Sequence, residues 1–101
     1  MNENNLSPMK RFTTLCKNKI AEYVNRENNT NITANDIDIT CIHSDKYKTS
    51  VRATTTKVYG MVYELLFFTP FKEFILLPYK KSEDVLIEAS QEEIECVRLL
   101  F

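Results

Sequence analysis

Between Tyr47 and Lys57 the chain alternates without a break. Tyr47, Thr49, Val51, Ala53 and Thr55 occupy one parity, and Lys48, Ser50, Arg52, Thr54 and Thr56 the other. A two-residue period places successive side chains on opposite sides of a strand, so this stretch demands a sheet with one buried and one wet face. Threonine fits that setting because its branched Cβ suits the pleat. Everything else in the chain has to supply strands beside this one and a cover for its buried face.

Upstream, Ser7-Pro8 reads as a helix N-cap followed by proline at the first helical position. Phe12, Leu15, Cys16, Ile20, Tyr23 and Val24 then recur at the spacing of one helical face, predicting an amphipathic helix that ends within Asn25–Asn29. A loop over Thr33–Asp36 leads into a first strand with Ile37, Ile39 and Cys41 inward and Asp38, Thr40 and Ile42 outward. Ser44-Asp45 reads as a turn. Downstream, a turn at Val58–Gly60 precedes "MVYELLFF", apolar on both parities apart from Glu64, which predicts a central strand covered on both sides at least at one end. "TPFK" predicts the next turn and "EFILLPYKK" a fourth strand, an edge or a strand that stops at Pro78. "SEDVLIEAS" fits either a short strand or a helical turn. Ser90-Gln91-Glu92-Glu93 has capping-box spacing, and Ile94, Val97, Leu100 and Phe101 follow at helical spacing. The expectation is a single α+β domain over 1–101: an N-terminal amphipathic helix packed on a four-stranded antiparallel meander, then a short C-terminal helix.

Composition narrows the functional classes. At 101 residues the chain is one domain in length, and 11% aromatic residues argue for a packed core rather than disorder. No apolar run approaches the roughly 20 residues that span a bilayer. The N-terminal "MNENNLSPMK" lacks a charged-then-apolar leader, so a cytoplasmic location is expected. Cys16, Cys41 and Cys96 form no C-x-x-C pair, and His43 is the only histidine, so reduced thiols and no metal or other cofactor are expected. Cys41, His43 and Asp45 lie close in sequence, but the strand phase assigns Cys41 to the core, where a thiol is inert. One glycine in the whole chain excludes a glycine-rich phosphate loop. The reading is therefore not an enzyme.

Charge is distributed unevenly: residues 1–60 carry a net +3 and residues 61–101 a net −4. The acids Glu83, Asp84, Glu88, Glu92, Glu93 and Glu95 form a candidate surface for a basic partner. Lys46, Lys48, Arg52 and Lys57, with the hydroxyls of Thr54 and Thr56, form an alternative surface for nucleic acid. That alternative lacks interleaved aromatics within the strand, and the chain's pI of 5.8 gives it a weak electrostatic footprint. The apolar end "VRLLF" either folds back into the core or supports a homodimer through the C-terminal helix.

In order, "CKNKIAEYVN", "ITANDIDIT", "YKTSVRATTT", "GMVYELLF" and "EFILLPYKKSED" resemble a group of small proteins of unknown function encoded by phages and mobile elements of low-GC Gram-positive bacteria. That group has an amphipathic first helix, an I-T-x-D-D-like entry to the first strand, a G-x-Y-Y-E-like third strand and a closing Y-K-K. The resemblance covers about residues 12 to 84 and carries no site residues with it. Small proteins of such elements are often inhibitors of host defence, including anti-CRISPR proteins that bind type II effector nucleases. The resemblance thus implies a non-enzymatic inhibitor that binds such an effector or blocks its guide-RNA or DNA loading, with contact to the guide RNA as a variant. The alternative is a small nucleic-acid-binding accessory protein.

Overall fold

The computed structural model describes residues 7–68, 73–78 and 85–100. Helix α1 (Pro8–Asn28) starts where the Ser7 hydroxyl accepts the Lys10 backbone N–H at 3.2 Å, satisfying one donor that the helix itself leaves open. It buries Phe12, Cys16, Ile20, Ala21, Tyr23 and Val24. It ends at Asn29, whose left-handed conformation (φ 55°, ψ 41°) an asparagine tolerates better than most residues. The chain is then turned back by Asn25. Its Nδ2 donates to the Ile32 carbonyl at 2.9 Å, its Oδ1 accepts the Ile32 N–H at 2.8 Å, and the Thr30 hydroxyl donates to the same oxygen at 2.9 Å. One amide thereby acts as a strand partner for Ile32, which is buried.

After a single 3₁₀ turn (Ala34–Asp36) come five strands rather than four: β1 (Asp38–Ser44), β2 (Lys48–Thr54), β3 (Tyr63–Phe68), β4 (Glu73–Pro78) and β5 (Val85–Glu88). All neighbours are antiparallel and the order in the sheet equals the order in the chain. The additional strand is only four residues long, and a run that short has no period that separates strand from helical turn. Helix α2 (Gln91–Leu100) closes the described chain. The expected "TPFK" turn, Glu83, Asp84 and Phe101 lie outside the described residues.

The phase of β2 is as its sequence implies. Thr49, Val51 and Ala53 are buried, while Lys48, Ser50, Arg52 and Thr54 face the other way. Across the sheet, Ile42, Val51, Leu65 and Leu76 form one inner row, and Ser44, Thr49, Phe67, Phe74 and Ile87 the next. Phe67 and Phe74 pack at 5.1 Å between ring centroids, and Tyr23 meets Tyr63 edge-on at 6.1 Å. Each such fully buried side chain contributes about 1.5–3 kcal/mol of burial free energy. Both helices cover this inner face: Cys96 and Val97 of α2 join the same core as α1, with Ile94 and Leu100 packed at its margin. Val97 and Leu100 therefore fold back, leaving Leu99 exposed. The positive φ of Gly60 (77°) serves the loop between β2 and β3.

Two expectations are corrected. In β1, Ile39 lies opposite Ala53 but Cys41 lies opposite Arg52, so Thr40 is an extra residue in a β-bulge. Its hydroxyl donates to the Arg52 carbonyl at 3.2 Å. The bulge shifts the phase by one, so Ile42 turns toward the core and Cys41 turns out to solvent. An isoleucine gains more from burial than a cysteine of smaller apolar area, which is the physical reason for the shift. Second, β3 is central but covered on one side only by the described elements, because α1 and α2 share the inner face.

The bulge sets the order of thiol reactivity. Cys41 is exposed, whereas Cys16 and Cys96 are buried, and burial together with the nearby Glu93 carboxylate pushes the Cys16 thiol far above its ordinary range. In the native protein an aromatic disulfide reagent should modify Cys41 alone; all three thiols should react after unfolding in guanidinium. For the Asn25 clamp, urea denaturation of Asn25→Ala should show a loss of about 1–3 kcal/mol, since the Ile32 backbone groups lose their partners.

Candidate interaction surface

The acidic candidates do not form one surface. Glu93 is only 3% exposed, and it points inward. Its Oε2 lies 3.2 Å from Lys19 Nζ on α1, and its Oε1 accepts the Ser90 backbone N–H at 2.8 Å, while the Ser90 hydroxyl accepts the Glu93 N–H at 3.2 Å. That reciprocal capping box starts α2, as the spacing predicts, but the same carboxylate is also the inner half of an interhelical ion pair. Lys19 Nζ lies 5.2 Å from the centroid of the Phe74 ring, so the pair rests on the sheet's inner face. Glu93 is thereby withdrawn from the set of partner contacts: its position 74 residues from Lys19 in the chain hides the pairing from any local pattern.

Glu92 is half-exposed and bound to Arg11 Nη2 at 2.7 Å. A pair this exposed contributes little to stability, but it fixes the outer side of the α1–α2 contact. Glu88, at the end of β5, and Glu95, on α2, face solvent. Glu95 has only a long contact of 3.5 Å with Gln91 Nε2.

The basic candidates lie along β2 and its flanking turns. Asp45 builds the first turn by accepting the N–H groups of Tyr47 and Lys48 at 2.8 and 3.0 Å, and these bonds hold its carboxyl below the usual range. The turn exposes Lys46 and Tyr47, with Lys46 Nζ 5.8 Å from the Tyr47 ring centroid. Lys57 sits in the turn beyond the other end of β2, its N–H bonded to the Thr55 hydroxyl at 3.2 Å. The seven-residue strand between them is about 23 Å long, so Lys46 and Lys57 do not act as one cluster. Lys48 and Arg52 share the outer face; Arg52 Nη2 lies 3.5 Å from Glu64 Oε2, which also accepts the Ser50 hydroxyl at 2.6 Å.

Sequence reading missed the apolar part of this outer face. Register aligns Ser50, Leu66, Ile75 and Leu86 in one row, with His43 at its end, and Lys48, Phe68, Glu73 and Glu88 in the next. Leu66, Phe68 and Ile75 are half-buried and Leu86 is 65% exposed. The outward parity of "ELLFF" carries the signal, which the expectation of cover on both sides assigns to a second layer. Tyr59, fully exposed beside Gly60, was also missed.

A groove of about 290 Å³ runs between α1 and β5, lined by Lys19, Glu22, Tyr23, Arg26 and residues 86–88. Its volume is just below the range of small-molecule sites, and its charged lining differs from their apolar walls. Among the described residues, no three His, Cys, Asp or Glu side chains converge to hold a metal ion, and no helix is long and apolar enough to cross a membrane. Compared with protein families, curated proteins and solved structures, the chain shows no match.

The burial of Glu93 makes a test of its role direct. Glu93→Ala should cost about 3–5 kcal/mol in a denaturant melt, because it strands Lys19 against the core and removes the cap. The double replacement Lys19→Met with Glu93→Leu should recover most of that loss, giving a large coupling energy in a double-mutant cycle.

Proposed function

We propose that this chain acts by surface contact, as a non-enzymatic inhibitor of a bacterial defence nuclease of the type II CRISPR class, laying fixed carboxylates against the enzyme's basic nucleic-acid groove. One observation carries the reading. The segment from β5 through α2 is pinned by Glu93–Lys19 inside and Glu92–Arg11 outside, and it holds Glu88 and Glu95 in solvent on rigid elements. Carboxylates on a rigid support lose little freedom on docking, so a basic groove gains their full complementarity. Glu83 and Asp84 belong to the same proposed contact by their place in the chain.

A second reading, direct nucleic-acid contact, draws on Tyr47, 65% exposed and flanked by Lys46 in the β1–β2 turn. An exposed ring beside a cation is the unit on which unpaired bases stack.

A DNA-cleavage assay with a guide-loaded type II effector separates these. Neutralising Glu83, Asp84, Glu88 and Glu95 to their amides should raise the concentration needed for half-inhibition by at least about tenfold, with the fold intact because Glu93 is untouched. Unchanged inhibition, or none by the parent chain, would overturn the acidic-contact reading. Retardation of single-stranded RNA at low salt that Tyr47→Ala abolishes would favour the second.

A further inference from the structure

The outer face of the sheet carries two rows of unlike character. Read from β2 to β5, one row runs Ser50, Leu66, Ile75, Leu86 and the next Lys48, Phe68, Glu73, Glu88. The first row is apolar from β3 to β5; the second has a cation on β2, Phe68 on β3 and acids on β4 and β5. Glu73 and Glu88 lie directly opposite each other, and like charges so placed destabilise a sheet. No described cation lies within ion-pair distance of either.

We propose that this face binds a second copy of the chain, with a two-fold axis running along the strands between β3 and β4. Two sheets packed face to face must be related by an axis lying in the plane between them. If that axis runs across the strands, each strand covers its own copy, so Lys48 meets only the partner's β2, whose outward residues include no acid. If it runs along the strands, β4 covers the partner's β3 and β5 covers the partner's β2. Leu66 then packs on the second copy's Ile75, and Phe68 lies over the aliphatic stem of its Glu73. Glu88 reaches Lys48 of the other chain, twice by symmetry. Charge complementarity selects the second arrangement, and the apolar centre lies on its axis. Sheets stacked in this way sit about 10 Å apart with strands within about 30° of parallel, a gap that the long side chains of Lys48 and Glu88 span. Glu64 adds no unmet charge, since Ser50 and Arg52 of its own chain engage it. The product is a four-layer dimer, helices outside and two sheets inside. Glu88 belongs to both proposed contacts, whereas Glu95 sits on α2, on the opposite side of the sheet, and Leu86 belongs to the dimer face alone; Glu95→Gln and Leu86→Lys therefore let nuclease inhibition and self-association fail separately.

Sedimentation equilibrium on the full chain tests this. The parent protein should be a dimer, and Leu86→Lys, a change at an exposed position, should weaken it at least about tenfold. Lys48→Glu and Glu88→Lys should each weaken it comparably, while an equimolar mixture of those two variants should associate again, because every cross-chain pair is then opposite in sign. Circular dichroism on each variant confirms that the fold is retained. A parent chain still monomeric at about 1 mM would overturn the proposal and leave the face to a foreign partner. A dimer indifferent to all three substitutions, or charge variants that do not rescue each other, would overturn it too.

Discussion

Glu93 ties three parts of this molecule, two helices and the sheet, together with one carboxylate. It caps the first turn of α2 through Ser90, pairs with Lys19 on α1, and through Lys19 reaches the Phe74 ring on the sheet. Removing a charge from water costs several kcal/mol, and that cost is tolerable only because both partners and the capped N–H are held in place. The consequence is geometric. With α2 pinned to α1, both helices lie on the inner face, and the described elements form a two-layer slab that leaves the other side of its sheet uncovered.

The sheet is built so that this slab closes. Thr49, Val51, Ala53, Tyr63, Leu65, Phe67, Phe74 and Leu76 all point inward, which leaves the partners of Arg52 and Lys48 outward. The bulge at Thr40 brings β1 into the same scheme by turning Ile42 toward the core. One inserted residue therefore decides both which side chain β1 buries and which thiol the protein shows to solvent.

What could be read from the chain follows the range of the forces involved. The α1 face, the Ser7 cap, the phase of β2 and the Ser90–Glu93 box depend on residues a few positions apart, and all were legible. The bulge was not, because a strand's register exists only relative to its partner. The short β5 stays ambiguous because four residues, three of them apolar, carry no usable period. Among the candidate site residues, Glu93 looked equivalent to Glu92 and Glu95 in a run of acids; only the long-range approach of Lys19 separates them. The open face was misread for a related reason: two apolar parities in β3 announce two apolar surfaces, but not what covers them.

The two outermost strands differ from the three inner ones in a way that bears on how the protein behaves when crowded. An uninterrupted edge strand is a template on which further chains add by backbone pairing, the route to fibrils. Here β1 is broken by its bulge after Ile39, and β5 offers only four residues. Neither gives a stranger a long ladder to extend. Growth by edge addition is opposed at both edges by backbone geometry, and at β1, whose centre has no charged or proline guard, the interruption is a single threonine.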